Sequence, residues 1–136
     1  MRYLILILLP LISFSQSDVP DKYWLDDGNF EEVINGNSAF GDDDQETVVI
    51  EFWAKFNEVN CFAEWEDIEN AKYYRVDIAK APETKKKYKV RMAPTIIIFK
   101  GGIKETAFKA GLDLVLPADL EEIQEAINEV NTASQF

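Results

Sequence analysis

Between positions 48 and 53 the chain reads Val48-Val49-Ile50-Glu51-Phe52-Trp53, apolar at every place but one. A near-continuous, β-branched run of this length suits a strand covered on both faces, where alternation is unnecessary. Thr95-Ile96-Ile97-Ile98-Phe99 predicts a second buried strand of the same kind, and residues 72–78 predict a third. Gly101-Gly102 is a two-residue hairpin signal, so residues 103–110 are expected to return beside the strand that ends at Phe99. Elsewhere the period changes to that of a helix. Leu120, Ile123, Ile127 and Val130 form one apolar stripe, with Pro117 placed in the first turn. Asn29, followed three positions on by Glu32, predicts a capped first helix with Phe30, Val33 and Ile34 facing inward and Asn35-Gly36 ending it. Asn57 is expected to cap a second helix that turns Val59, Phe62 and Trp65 inward, and Pro82 opens a short third helix through Tyr88. The order is helix, strand, helix, strand, helix, strand, strand, helix. That predicts an α/β domain with a mixed central sheet flanked by helices.

The first fifteen residues stand apart from this pattern. Arg2 supplies a positive start, residues 4–12 are aliphatic apart from Pro10, and Ser13-Phe14-Ser15 puts small residues where a signal peptidase cuts. Residues 1–15 are therefore expected to be a secretory signal peptide, with a mature domain over residues 16–136 and a leader over residues 16–22. The competing reading is an uncleaved anchor, which an apolar run this short supports poorly, because a spanning helix needs about 20 apolar residues. No transmembrane span is expected in the mature protein. The expected destination is the periplasm or the exterior.

Of the 136 residues, 47% are hydrophobic and 12% aromatic, enough for one ordinary core. The net charge is −11, and nucleic acid is excluded as a partner because neutralising phosphates requires a basic footprint. The acidic stretch Gly41-Asp42-Asp43-Asp44-Gln45-Glu46 matches no calcium-loop spacing and is expected to be a solvated turn. The basic run Lys85-Lys86-Lys87-Tyr88-Lys89-Val90-Arg91 is either a solvated helix end or a dock for an acidic partner. There are no histidines, which removes the usual general base and the commonest metal ligand. No metal and no other cofactor is expected. Cys61 is the single cysteine, so no disulfide can form within the chain.

Three pieces, in order, carry a likeness to a known family: Leu25-Asp26-Asp27-Gly28-Asn29-Phe30, then Glu51-Phe52-Trp53-Ala54, then Arg91-Met92-Ala93-Pro94-Thr95 following Pro82 and Tyr88. With Gly111 after the hairpin, residues 23–130 resemble the thioredoxin superfamily. The resemblance implies a thioredoxin-like fold with a cis bond at Ala93–Pro94. It also exposes what has been replaced. Where the family carries Cys-x-x-Cys, this chain reads Asn57-Glu58-Val59-Asn60. A dithiol exchange needs one thiolate to attack and a second thiol to resolve the mixed disulfide, and neither asparagine can do either. The resemblance also implies a shorter second helix and an insertion at residues 112–116.

Glu51 matches the family's buried acid and Arg75 a nearby lysine, so a structural Glu51–Arg75 ion pair is expected, since an unpaired charge in a dry strand is costly. Cys61 lies one position past the resolving site. Glu58 and Glu64, as helical neighbours at i−3 and i+3, would disfavour its thiolate. In the family, the proline loop and aromatic turn flank a groove for an extended substrate. Trp53, Phe56, Val59, Met92, Ala93 and Pro94 are the matching positions, although the same side chains could simply pack the core around Pro94. The resulting expectation is an exported, redox-inactive thioredoxin-like domain that binds a protein or extended peptide, or serves as a scaffold. The alternative is a single-cysteine thiol–disulfide oxidoreductase using Cys61.

Overall fold

The computed structural model describes residues 19–35 and 46–133. The expected signal peptide and most of the acidic turn lie outside the described residues; Glu46, at the end of that turn, is exposed and pairs with Lys72 at 3.0 Å. Five strands form one sheet: β1 (Trp24–Leu25), β2 (Thr47–Trp53), β3 (Lys72–Asp77), β4 (Thr95–Lys100) and β5 (Ile103–Lys109). Their order is β1-β3-β2-β4-β5, with β1 and β2 parallel to β3, and β4 antiparallel to both β2 and β5. The helices are α1 (Phe30–Asn35), α2 (Pro82–Lys87) and α3 (Leu120–Ala133). Among the described residues no helix is long and apolar enough to cross a membrane.

The period-2 geometry of a strand divides β2 between two cores. Val48, Ile50 and Phe52 face α1 and α2, packing with Phe30, Ile34, Val76, Ala81, Ile97 and Phe99. Val49 faces α3 with Phe62, Tyr73, Ile96, Ile98, Ile123 and Ile127. Every residue of β2 is buried, as the unbroken apolar run predicts. On α3, Ile123 and Ile127 are wholly buried, contributing about 1.5–3 kcal/mol each by removal from water.

Three elements depart from expectation. β1 was not anticipated, because two residues carry no legible period. α3 begins at Leu120 rather than around Pro117: Asp119 and Glu122 form a reciprocal capping box in which each side chain accepts the other's backbone N–H, at 2.8 and 3.3 Å. The second helix does not form. Residues Lys55–Asn60 make 3₁₀ turns kinked at Asn57 (φ −127°, ψ 27°), and Trp65–Asp67 makes another. Val59, expected inward, is 77% exposed, whereas Phe62 is fully buried and Trp65 stacks on Tyr73 with ring centroids 5.4 Å apart.

The reason lies in the sheet. Glu51 and Arg75 are cross-strand partners in the β2–β3 register and pair at 3.2 Å, both wholly buried. Tyr73 donates its hydroxyl to Glu51 at 2.5 Å and accepts Arg75 Nε at 2.8 Å. The pair then reaches out of the sheet: Phe62 N–H donates to Glu51 Oε2 at 3.0 Å, and Arg75 Nη2 donates to the Phe62 carbonyl at 3.1 Å. A buried backbone needs every N–H and C=O partnered. Here both groups of Phe62 are satisfied by side chains rather than by a helix. Burial pushes the Glu51 carboxyl above its ordinary range, against the pull of Arg75, Tyr73 and the Phe62 N–H.

The network predicts two outcomes. Glu51→Leu strands a buried guanidinium and should cost about 3–5 kcal/mol in urea unfolding; adding Arg75→Leu should recover only part of this, because Phe62 remains unsatisfied. The Tyr73 phenol is held well above its usual 10.0, first by burial and then by the Glu51 charge. A raised folded-state value means full stability below the unfolded value and loss as pH rises through the window above it. Unfolding midpoints should therefore fall from about pH 10 upward, with Tyr73 contributing up to about 1.4 kcal/mol per pH unit. Tyr73→Phe should flatten that slope when midpoints are measured across the range.

Candidate functional site

The positions where the resemblance places two thiols, Asn57 and Asn60, lie on the 3₁₀ turns, against the proline loop. Asn57 is buried, and its amide donates to the Ala93 carbonyl at 2.8 Å and to the Leu114 carbonyl at 2.8 Å. Asn60 Nδ2 in turn donates to Asn57 Oδ1 at 2.8 Å. Short polar side chains that bond nearby backbone compete with helix formation, and two of them in one segment help hold it in irregular turns. Asn57 thus joins the turn, the proline loop and the 112–116 insertion instead of capping a helix.

The proline loop is tied on its other side as well. Thr95 Oγ1 donates to the Met92 carbonyl at 2.7 Å, and Ala110 N–H donates to the Pro94 carbonyl at 3.2 Å. The Ala93–Pro94 bond is cis. Elsewhere, Asp27 accepts from the Glu83 and Thr84 N–H groups and the Thr84 hydroxyl at 2.7–3.1 Å, capping α2 from a distant segment. Burial would raise that carboxyl, but the three hydrogen bonds hold it below its ordinary value.

The six positions matched to the groove do not form one wall. Trp53, Ala93 and Pro94 are packed inside, and Met92 is half-buried. Trp53 meets Trp24 edge-on at 5.0 Å, and its indole N–H has no acceptor among the described residues. Phe56 and Val59 stand 75% and 77% exposed. Sequence reasoning missed their companions: Leu112 is 90% and Val115 50% exposed on the insertion that Asn57 tethers. Their only signal was an apolar cluster with no helical or strand period. It also missed the clustering of Lys89, Arg91 and Lys109 about a depression beside Met92 and Thr95, because Lys109 is distant in sequence.

Cys61 ends the 3₁₀ stretch in an extended conformation (φ −71°, ψ 164°) and is 7% exposed. Glu64 is consequently not its helical neighbour. Burial first, then the Glu51 and Glu58 charges, raise its thiol pKa, while Arg75 opposes them through its charge and a hydrogen bond. A thiol so placed stays protonated near neutral pH, and the thiolate is the nucleophile. No group of His, Cys, Asp and Glu among the described residues could hold a metal ion.

Asn57→Ala should leave the Ala93 and Leu114 carbonyls short of a donor. Expected are a loss of about 1–3 kcal/mol and faster amide exchange over residues 111–116, read by hydrogen-exchange NMR. Unchanged exchange there would show that the insertion is held by other contacts.

Comparison with known proteins gives the same frame. The sequence model of the thioredoxin family matches residues 22–127. Thioredoxin from Schistosoma mansoni superposes with a TM-score of 0.59 at 24% identity, covering 78% of this chain and 92% of that one. Thioredoxin from Malassezia sympodialis gives 0.55 at 24% identity, over 78% and 87% of the two chains. Chlamydomonas reinhardtii thioredoxin f2 gives 0.56 at 13% identity, over 79% and 94%. At these identities the structures attest the fold alone. No curated protein matches. The family match spans most of the chain and the sheet order and helices agree with it, so the chain belongs to the thioredoxin family, as a member with a single cysteine and no Cys-x-x-Cys pair.

Proposed function

We propose that this is an exported, redox-inactive thioredoxin-fold domain that binds a protein partner, or an extended segment of one, through the face around the proline loop. The observation that carries this reading is the use of Asn57. At the position where the family resemblance places a thiol, the side chain is fully engaged in holding Ala93 and Leu114, and it offers no nucleophile. Around it Phe56 and Val59 stand largely in water. Exposed aromatic and aliphatic anchors clustered at one end of a domain are a feature of protein-contact surfaces. Export rests on the composition of residues 1–15.

An extended segment pairing beside Pro94 would meet an Ala93 carbonyl that already accepts from Asn57. A carbonyl has two lone pairs, so strand-like pairing and the Asn57 bond are compatible. Affinity on this face would come mainly from the apolar anchors, half-buried Met92 among them. The single-thiol alternative finds no support in the surroundings of Cys61, which is buried beside Glu51 with its thiol raised.

The test is partner capture from envelope extracts with wild type and with Met92→Asp, the fold of each checked by circular dichroism. The charge should weaken a captured partner by about 2 kcal/mol or more if this face is the hot spot. Undiminished capture by a folded mutant would move the interface elsewhere. In parallel, wild type should show no insulin reduction; turnover that disappears in Cys61→Ser would overturn the redox-inactive reading.

A further inference from the structure

The chain carries 14 basic and 25 acidic residues, yet two adjoining depressions on it are lined without a single carboxylate. One, of about 330 Å³, is bounded by Lys89, Arg91, Met92, Thr95, Lys109 and Ala110. The other, of about 450 Å³, shares Lys89 and Arg91 with it and adds Lys85 and Lys86. Four of these five cations belong to the run at residues 85–91, on α2 and the turn after it, and the fold adds Lys109 from the end of β5. Among the described residues none of the five takes part in an ion pair, although Lys72, Arg75 and Lys87 all do. Lys89, Arg91 and Lys109 are exposed. Like charges gathered without counterions repel, and the arrangement gains only when an anion arrives.

The trough is continuous with the face described above. Met92 lines it directly, and its floor includes Ala110, whose N–H is bonded to the Pro94 carbonyl. We propose that the partner segment received by this face is an acidic peptide, with carboxylates in the trough of Lys89, Arg91 and Lys109 and apolar side chains against Met92. The proposal rests on the binding reading above and names the chemistry of the partner. A narrow acidic segment fits better than an anionic bilayer. A planar surface would meet the field of the whole protein, which is −11 in charge, whereas a peptide in a concave trough meets chiefly the local cations. An acidic segment is also steered toward this basic island on a chain that is acidic in balance.

The experiment uses a fluorescein-labelled peptide, Glu-Leu-Glu-Glu-Leu-Glu, and its Gln-for-Glu counterpart, titrated by anisotropy. Binding of the acidic peptide should weaken about tenfold or more in the double variant Arg91→Glu/Lys109→Glu, and should weaken with added salt. Lys104→Glu, the same charge change on an exposed part of β5 outside the trough, should leave it unchanged. If the Gln peptide binds as tightly and is lost in Met92→Asp, the groove stands and the acidic partner is overturned. If neither peptide responds to Met92→Asp or to the double variant, both readings fall. Preferential, Arg91-dependent binding to phosphatidylglycerol vesicles would make a membrane the occupant and overturn the proposal. So would concentration-dependent dimerisation in sedimentation that the double variant abolishes, which would seat a second copy's acidic face in the trough.

Discussion

Two opposite charges sealed inside a sheet are the constraint from which the rest of this domain follows. Glu51 and Arg75 face each other across β2 and β3, and neither touches solvent. A buried pair is tolerable only when its remaining donors and acceptors are also satisfied. Tyr73 satisfies some, and the Phe62 backbone satisfies others. That last contact is the consequential one. The Glu51–Arg75 pair fixes the β2–β3 register, since a one-residue slip would carry Glu51 to the opposite face of the sheet away from Arg75. The Phe62 contact clamps the segment after residue 60 to the sheet without a helix.

With Phe62 held there, residues 55–60 have only a short path from the end of β2. They take it in 3₁₀ turns, leaving Phe56 and Val59 pointing to water while Asn57 turns inward to the proline loop. The surface proposed for binding is therefore a by-product of core chemistry. The apolar groups are exposed because the residues between them are tied down. Cys61 is drawn inside by the same geometry, next to the ion pair, where burial and the Glu51 charge keep it protonated. The departure from the family's Cys-x-x-Cys motif thus extends beyond two substitutions. Restoring a cysteine at either position would place it among hydrogen-bond partners and turns that suit an amide.

The charge distribution adds a second layer. The acidic majority among the charged residues discourages nonspecific contact with anionic partners. Against it, the cations around Met92 form a local exception rather than part of a general basic character. On the binding reading proposed above, apolar anchors would supply contact area and the neighbouring cations would select by sign. Division of labour between affinity and selectivity is the ordinary behaviour of interfaces, where rim charges act on association rate and choice of partner more than on affinity.

What the sequence determined by itself was everything governed by local period or by strong punctuation. The apolar runs at 48–53 and 95–99 declared buried strands because a strand covered on both faces needs no alternation, and Gly101-Gly102 declared the hairpin. The stripe Leu120, Ile123, Ile127 and Val130 declared the last helix, though its start was set by the Asp119–Glu122 box instead of Pro117. The absence of paired cysteines was legible at once. Three things were decided only in three dimensions. The segment after Trp53 has the spacing of a helix, but its Phe62 backbone bonds to charges on other strands, and no local pattern reveals a partner 11 or more residues away. Asn57 reads as a cap, yet its amide is taken by carbonyls 36 and 57 positions distant. The basic trough needs Lys109 from β5 beside Lys89 and Arg91, and only the pairing of β5 with β4 brings them together. Periodicity records which side of an element is dry; it does not record which distant backbone groups remain to be satisfied, and here those groups shaped the site.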